Sequence, residues 1–223
     1  MDYSPENQKK YFQFAYQTGS DIWTHIPYYS KALSFLPELE KDSLVLDIGG
    51  GRGLWALHLL EQGYRVLGID YIPSIVDKVN ERIRGEGLTE RARFVVGDAK
   101  EIPFVDEGFD LVTDIGTMQH IEAKDWDRYV QEVYRVLKKD GFYLNVSYSR
   151  KTDQFLGWKP KNSATGDFNK FGVYYHFFTE DEIKEIFGKK FEITKQDFQI
   201  YESKSDPEDK IVLVFSIMKK KQS

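Results

Sequence analysis

The sequence predicts an α/β fold: a doubly wound, mostly parallel sheet of seven strands with one antiparallel strand near the C-terminal end. Three observations carry this. Between residues 43 and 148, short apolar runs alternate with stretches of helical periodicity. Right-handed crossovers between such strands place helices on both faces of one sheet. After residue 190, two strand-like runs follow one another with only the polar "ESKSDPED" between them, so one must run antiparallel.

The elements follow in order. In the first 40 residues, Tyr11, Phe12, Phe14 and Ala15 form an apolar cluster before the Gly19 break. Tyr28, Tyr29, Ala32, Leu33, Phe35 and Leu36 give a second apolar face that stops at Pro37. The loop "TGSDIWTHIPYY" joins the two. "SLVLDIG" (43–49) reads as a buried strand, and Leu54, Leu57 and Leu59 or Leu60 suit a helix ending near Gly63. "YRVLGID" (64–70) is the second strand; Ile75, Val76, Val79 and Ile83 mark a helix that begins just after Pro73. "ARFVVGD" (92–98) and "FDLVTDIG" (109–116) are the third and fourth. Trp126, Tyr129, Val130, Val133 and Leu137 keep helical spacing, with Asp125 placed to cap it. "GFYLNVSY" (141–148) is the fifth strand. Thr179 and Glu182 match a capping box, and "FEITKQDFQIY" and "KIVLVFSIM" close the chain as a hairpin.

One domain is expected, with an N-terminal helical cap (1–40), a core (43–148), an irregular segment (149–178) and a C-terminal helix and hairpin (179–223). Residues 149–178 show no clear period, yet hold Phe155, Trp158, Phe168, Phe171, Tyr174, Tyr175, His176 and Phe177. A long loop of this kind is either functional or disordered, and its aromatics favour a lid or substrate wall.

Composition narrows the function. A hydrophobic share of 41% and an aromatic share of 15% support a sizeable core. The net charge of −5, with acids and bases mixed, argues against a nucleic-acid binder, and the closing "KKKQS" reads as a solvated tail. With no cysteine, a disulfide framework, thiol nucleophile or thiolate metal site is ruled out. The histidines lack metal-ligand spacing, so no metal is expected. No membrane span or signal peptide is read, which makes a cytoplasmic monomer or homodimer the expectation.

Ligands of open α/β sheets sit at the carboxyl ends of the strands. There the sequence places Asp47 before Gly49-Gly50-Gly51-Arg52-Gly53, then Asp70, then Asp98-Ala99, then Asp114-Ile115-Gly116. A phosphate-binding P-loop would need a Lys after its glycines, and none follows. A dinucleotide turn wants G-x-G-x-x-G; Gly49 and Gly51 fit, but Gly53 comes one residue early, and a pyrophosphate disfavours a carboxylate such as Asp47. A nucleoside with a cationic, zwitterionic tail suits the set better. Asp47 can face an ammonium, Asp70 can accept from two ribose hydroxyls, and Asp98 can accept from an exocyclic amine. S-adenosyl-L-methionine has that shape and charge.

On "VLDIGGGRG", "GIDYIPSIVDKV", "VVGDAKEIPFVDEGFDLV" and "MQHI" before "EVYRVLKKDGFYL", the chain resembles class I S-adenosylmethionine-dependent methyltransferases from about Ser43 to Tyr148. The resemblance implies a Rossmann-like sheet with a seventh, antiparallel strand, and methyl transfer to a small-molecule acceptor, leaving S-adenosyl-L-homocysteine. It implies that Asp47, Gly49, Gly51 and Gly53 line the methionine and ribose. Asp70 would take the ribose hydroxyls, Tyr71 would flank the adenine, and Asp98 and Ala99 would hold its edge. The backbone near Ile115 would meet the methionine amine. The "YQTGSDIWTHIPYY" segment is similar to small-molecule methyltransferases in which a Trp closes the cofactor site, which makes Trp23 either a cofactor contact or an ordinary core residue.

In-line displacement at a sulfonium methyl needs alignment above all, and a base only when the nucleophile arrives protonated. His120, after the fourth strand, is the candidate base or substrate ligand. His58 reads as structural. His25, Tyr175 and His176 lie in the aromatic segments and are candidate substrate contacts. Two rivals stay open: a non-catalytic cofactor-binding or interaction protein, and a nicotinamide-dependent dehydrogenase.

Overall fold

The computed structural model describes residues 2–152, 157, 165–202 and 210–222. The first helix, α1 (Pro5–Thr18), starts at Ser4, whose side chain accepts from Asn7 N, and ends at Gly19 in the left-handed region, φ 72°. A short 3₁₀ turn (Ile22–His25) and α2 (Tyr29–Leu33) lead into the sheet. β1 (Leu44–Ile48), α3 (Leu54–Glu61), β2 (Arg65–Asp70), α4 (Pro73–Gly85), β3 (Ala92–Val96) and β4 (Phe109–Ile115) then alternate as expected. α5 (Trp126–Val136) and β5 (Leu137–Tyr148) complete the parallel part. The small hairpin β6 (Asp167–Lys170) and β7 (Val173–His176) follows, then α6 (Glu180–Phe187), β8 (Phe191–Glu202) and β9 (Lys210–Lys220).

The main sheet has strand order β3-β2-β1-β4-β5-β9-β8. β1 through β5 pair in parallel, while β9 lies antiparallel between β5 and β8. The order reverses between β1 and β4, where the chain leaves on opposite faces. Helix burial fits the period-3.6 reading: α4 buries Ile75, Val76, Val79 and Ile83, and α5 buries Tyr129, Val130, Val133 and Val136. Two cores result, one on each face of the sheet.

Some details depart from the sequence reading. The irregular segment contains the β6–β7 hairpin, whose strands are too short to show a period. Phe168, Tyr175 and Phe177 pack there against Phe12 and Tyr16 of α1, forming a third apolar cluster. Phe155 and Trp158 lie outside the described residues. Phe14 faces solvent, 61% exposed, so the apolar face of α1 is narrower than the sequence suggests. Asp125 stands at the start of α5 without capping it; its side chain faces Lys100 Nζ at 3.3 Å instead. The lysines at the C-terminal end are not a free tail. Lys219 and Lys220 belong to β9, and Lys220 Nζ is buried, donating to Leu137 O at 2.6 Å.

The capping box at α6 is complete: Thr179 Oγ1 accepts from Glu182 N at 3.2 Å, and Glu182 Oε2 accepts from Thr179 N at 2.8 Å. Glu182 also meets Arg150, which ties the cap to the end of β5. Thr179→Ala is expected to destabilise the fold by about 1 kcal/mol, measured as a lower urea midpoint at unchanged slope. An unchanged midpoint would show that the cap contributes nothing here.

Candidate functional site

A cavity of about 680 Å³ opens at the carboxyl ends of β1, β2, β4 and β5, over the point where the strand order reverses. Its walls include Asp47, Gly49, Gly51, Asp70, Tyr71, Asp98, Ala99, Ile115 and His120, and its cover is α1 with the turn that holds Trp23. Among the sequence-read cofactor residues, Gly53 alone is outside this lining. It sits at the start of α3 with φ 70°, where it lets the helix begin against Val79.

The glycine turn is shaped by what crowds it. Gly49 has φ 63°, and a Cβ there would collide with Thr117 Oγ1. At Gly51, φ 50°, a Cβ would lie 2.7 Å from the Tyr16 hydroxyl. Backbone therefore reaches the cavity edge where no side chain would fit. Asp70 holds this turn in place: its Oδ2 accepts from Gly51 N at 3.1 Å and its Oδ1 from Ile72 N at 2.9 Å. Burial raises its carboxyl to about 6 despite those bonds.

Asp47 is 1% exposed. Thr113 Oγ1 donates to its Oδ1 at 3.3 Å, while Oδ2 has no hydrogen-bond partner among the described residues. Desolvation raises this carboxyl to about 8, with the negative fields of Asp114 and Asp70 adding to the effect. A buried, half-satisfied acid on a cavity wall suits a cationic ligand group. Asp98 sits at the mouth, its side chain 57% exposed, with Oδ1 accepting from Lys100 N at 2.8 Å. Asp114 takes a different role from the other strand-end acids. It turns away from the cavity and accepts from Thr117 N at 2.7 Å, Met118 N at 3.0 Å and the Tyr129 hydroxyl. It is a turn cap that shapes the segment leading to His120.

His120 belongs to a closed ring of hydrogen bonds drawn from three elements. Its Nδ1 faces Tyr174 O at 2.9 Å, Tyr174 N donates to Gln8 Oε1 at 3.0 Å, and Gln8 Nε2 donates to His120 O at 3.1 Å. The bond to a carbonyl requires the proton on Nδ1, leaving the lone pair on Nε2. Gln119, oriented by accepting from Tyr148 N at 2.8 Å, turns its amide nitrogen toward that lone pair at 3.4 Å. Burial among Phe12 and Tyr175 lowers the imidazole to about 4, so it is neutral near pH 7.

Tyr175 and His176 are not cavity walls. Tyr175 stacks on Phe168 at 5.2 Å and supports His120 edge-on at 4.8 Å. His176 is buried behind the hairpin, with Nδ1 2.9 Å from Asp167 and its ring against Trp126. Their alternation along β7 sends neighbours to opposite faces. His25 lies in the 3₁₀ turn, and its side chain falls outside the described residues. Trp23 reaches the cavity and meets Phe12 and Tyr16 edge-on, at 5.4 and 5.9 Å.

Several residues of the site were not read from the sequence. Arg52 of the glycine turn forms a two-pronged ion pair with buried Asp21, both contacts 2.6 Å, and donates to Tyr16 O at 3.1 Å. That pins the entry segment to the glycine turn. Gln8, Tyr29 and Tyr148 also belong to the site or its cover. Among the described residues, no cluster of acidic or histidine side chains has the arrangement of a metal site. No helix among them is long and apolar enough to cross a membrane.

The comparisons agree with this fold. Residues 45–141 match the Methyltransferase domain family. The matched segment and the sheet around it support a class I S-adenosylmethionine-dependent methyltransferase domain, a class whose cofactor is S-adenosyl-L-methionine. It is similar to a demethylmenaquinone methyltransferase of Lactobacillus johnsonii, 30% identical over 127 residues, covering 55% of this chain and 51% of that protein. It is also similar to the uncharacterized methyltransferase YcgJ of Bacillus subtilis, 34% identical over 53% of this chain and 46% of that one. The chain thus spans about half the length of these curated relatives. Among solved structures, it resembles a methyltransferase from Methanosarcina mazei with a TM-score of 0.72 and 26% identity, over 83% of this chain and 95% of that one. A Burkholderia thailandensis 1,6-didemethyltoxoflavin-N1-methyltransferase, solved with that acceptor and S-adenosylhomocysteine, shares the fold with a TM-score of 0.77 at 23% identity, over 97% and 88% of the two chains.

Asp47 makes a pH test available. In the folded chain it keeps its proton up to about 8, against an ordinary value of 3.8. A folded state that binds more protons than the unfolded one loses stability as pH rises. Asp70 and Asp114, both raised to about 6, act in the same sense at lower pH, and His120, lowered to about 4, opposes them there. The window from roughly pH 6.5 to 8 therefore isolates Asp47. The urea midpoint of the cofactor-free chain is expected to fall across it, and Asp47→Asn is expected to flatten the fall. A midpoint that rises there in the parent protein would contradict the assignment.

Proposed function

We propose that the protein transfers the methyl group of S-adenosyl-L-methionine to a small, partly apolar acceptor by in-line displacement. The observation that carries this reading is the unpaired Oδ2 of buried Asp47 beside a glycine turn where no Cβ would fit. When bound, the cofactor supplies an electrophilic methyl on a sulfonium. Asp47 and the backbone near Ile115 would hold its ammonium end. Gly49 and Gly51 would let the chain approach closely, and Asp70 would accept from the ribose hydroxyls. Tyr71, with Asp98 and Ala99, would frame the adenine. Trp23 would close the cover.

His120 is suited to shape the acceptor pocket, its Nδ1 held by Tyr174 O and its Nε2 lone pair facing the Gln119 amide, which an acceptor would have to displace. Its lowered basicity makes it a weak proton acceptor, which favours a nucleophile that needs little help. α1 and the turn that holds Trp23 would shield the cavity from water. The positioning of the two reactants accounts for most of the catalysis expected here.

Transfer of label from methyl-labelled cofactor to a metabolite panel is the direct test. Tight cofactor binding with persistent absence of transfer would favour the non-catalytic reading, and a binding shift with NAD but none with S-adenosylmethionine would favour a dehydrogenase. Asp70→Asn is expected to weaken S-adenosylhomocysteine binding by about tenfold to a hundredfold, the worth of one hydrogen bond to a charged group. Calorimetry that finds unchanged affinity would remove Asp70 from the ribose.

A further inference from the structure

The cavity is divided in charge. Its charged walls come from the start of α1, the glycine turn, the ends of β2 and β3, and the segment 119–125: Glu6, Lys9, Asp70, Asp98, Lys100 and Asp125 are examples. The other half is built at the ends of β5 and β9 and from the segment entering α2. It is walled by Ile26, Tyr28, Tyr29, Trp55, Tyr148 and Leu213, which carry no charge. These six pack within one apolar cluster. Asp47 stands at the border between the halves.

The polar atoms of this uncharged half are limited. The Trp55 indole N–H is already used, donating to Thr113 Oγ1 at 3.1 Å, so Trp55 offers only its ring. Tyr29 lies nearly parallel to it, at 6.1 Å and 8°, and Tyr148 is stacked on Phe177 at 4.9 Å. Packing against Trp55, Tyr28 and His58 for Tyr29, and against Phe177 for Tyr148, thus fixes the orientation of the two rings. Burial raises the phenols of Tyr28, Tyr29 and Tyr148, so they remain protonated donors throughout the neutral range.

Resting on the reading of this cavity as a joint cofactor and acceptor site, we propose that the acceptor is an uncharged, planar aromatic or heteroaromatic molecule that lies between Tyr29 and Tyr148. An anionic acceptor would lose its hydration in the uncharged half and gain no cation in return. A saturated ring would forfeit the offset-stacked and edge contacts that fixed aromatic faces provide. The Tyr28 hydroxyl is engaged with that of Tyr29, so the Tyr29 and Tyr148 hydroxyls are the ones that can donate to a ring nitrogen, carbonyl or hydroxyl of the guest. The weak basicity of His120 fits the same class, because a ring nitrogen or an acidic ring hydroxyl needs little deprotonation before attack.

The test uses three probes of matched shape on the S-adenosylhomocysteine-loaded protein: naphthol, naphthalene sulfonate and decahydronaphthol, each titrated by calorimetry. Naphthol is expected to bind about a hundredfold tighter than the sulfonate and about tenfold tighter than the saturated alcohol. Tyr148→Leu and Tyr29→Leu should each weaken naphthol by about tenfold, and unchanged naphthol affinity in both would overturn its placement between these rings. A sulfonate or saturated analogue that equals naphthol on the parent protein also overturns the proposal. Failure of S-adenosylhomocysteine to bind would instead refute the cofactor reading, and the same three titrations on the cofactor-free protein would still decide the aromatic half.

Discussion

A parallel sheet whose strand order reverses between β1 and β4 leaves a crevice that no crossover helix can cover. The rest of the site is a response to that constraint. β1 ends in a buried acid, and the chain must then turn sharply enough to begin α3 without filling the crevice. Gly49 and Gly51 meet that need because any larger residue would strike Thr117 or Tyr16. Asp70, one strand over, fixes the turn by accepting from Gly51 and Ile72. One carboxylate thus shapes the turn and still faces the cavity with its remaining lone pairs.

The cover is attached by a few bonds of high consequence. Arg52 and Asp21 clamp the entry segment to the glycine turn, and Gln8 joins α1 to both His120 and Tyr174. These contacts come from helices and loops outside the main sheet. The cover therefore closes over the cavity from outside the strands beneath it. Desolvation then explains the common direction of Asp47, Asp70 and Asp114, all raised, and of His120, lowered: each group is shifted toward its neutral form. The site stores an unfavourable environment for its own charges, which a bound cation would relieve at Asp47.

The sheet and its acids were legible in the sequence because their signals are local. Apolar runs, helical spacing and a strand-end Asp followed by glycines are all read within ten residues of one another. Asp47, Asp70 and Asp98 line the cavity as that pattern suggests, while Asp114 has the same local setting and the opposite orientation. Nothing in its neighbours encodes this; Tyr129, fifteen residues on, draws it inward. The cover was illegible for the same reason. Arg52 finds Asp21 across 31 residues, and Gln8 finds His120 across 112 and Tyr174 across 166. Only the fold creates these pairs, and a polar residue on an N-terminal helix looks like any solvated one beforehand. His176 was misread as a cavity residue because its side of a four-residue strand was not fixed by any longer alternation.

The division of the cavity into a charged and an uncharged half bears on how two ligands can share it. A cation is attracted to aromatic faces as well as to carboxylates, so Tyr28, Tyr29 and Trp55 could in principle compete for the sulfonium side of the cofactor. The buried, half-satisfied Asp47 at the border outweighs them once an approaching cation draws off its proton, since the resulting ion pair exceeds the pull of a ring quadrupole. An ammonium drawn to Asp47 leaves the rings free, and a neutral planar guest then meets no charged competitor for them. The order of the strands sets this arrangement: β2 and β3 bring the acids to one side of the switch point, and β5 and β9 bring apolar residues to the other. On the reading proposed above, specificity for the cofactor and for the acceptor would change independently, through different edges of the same sheet.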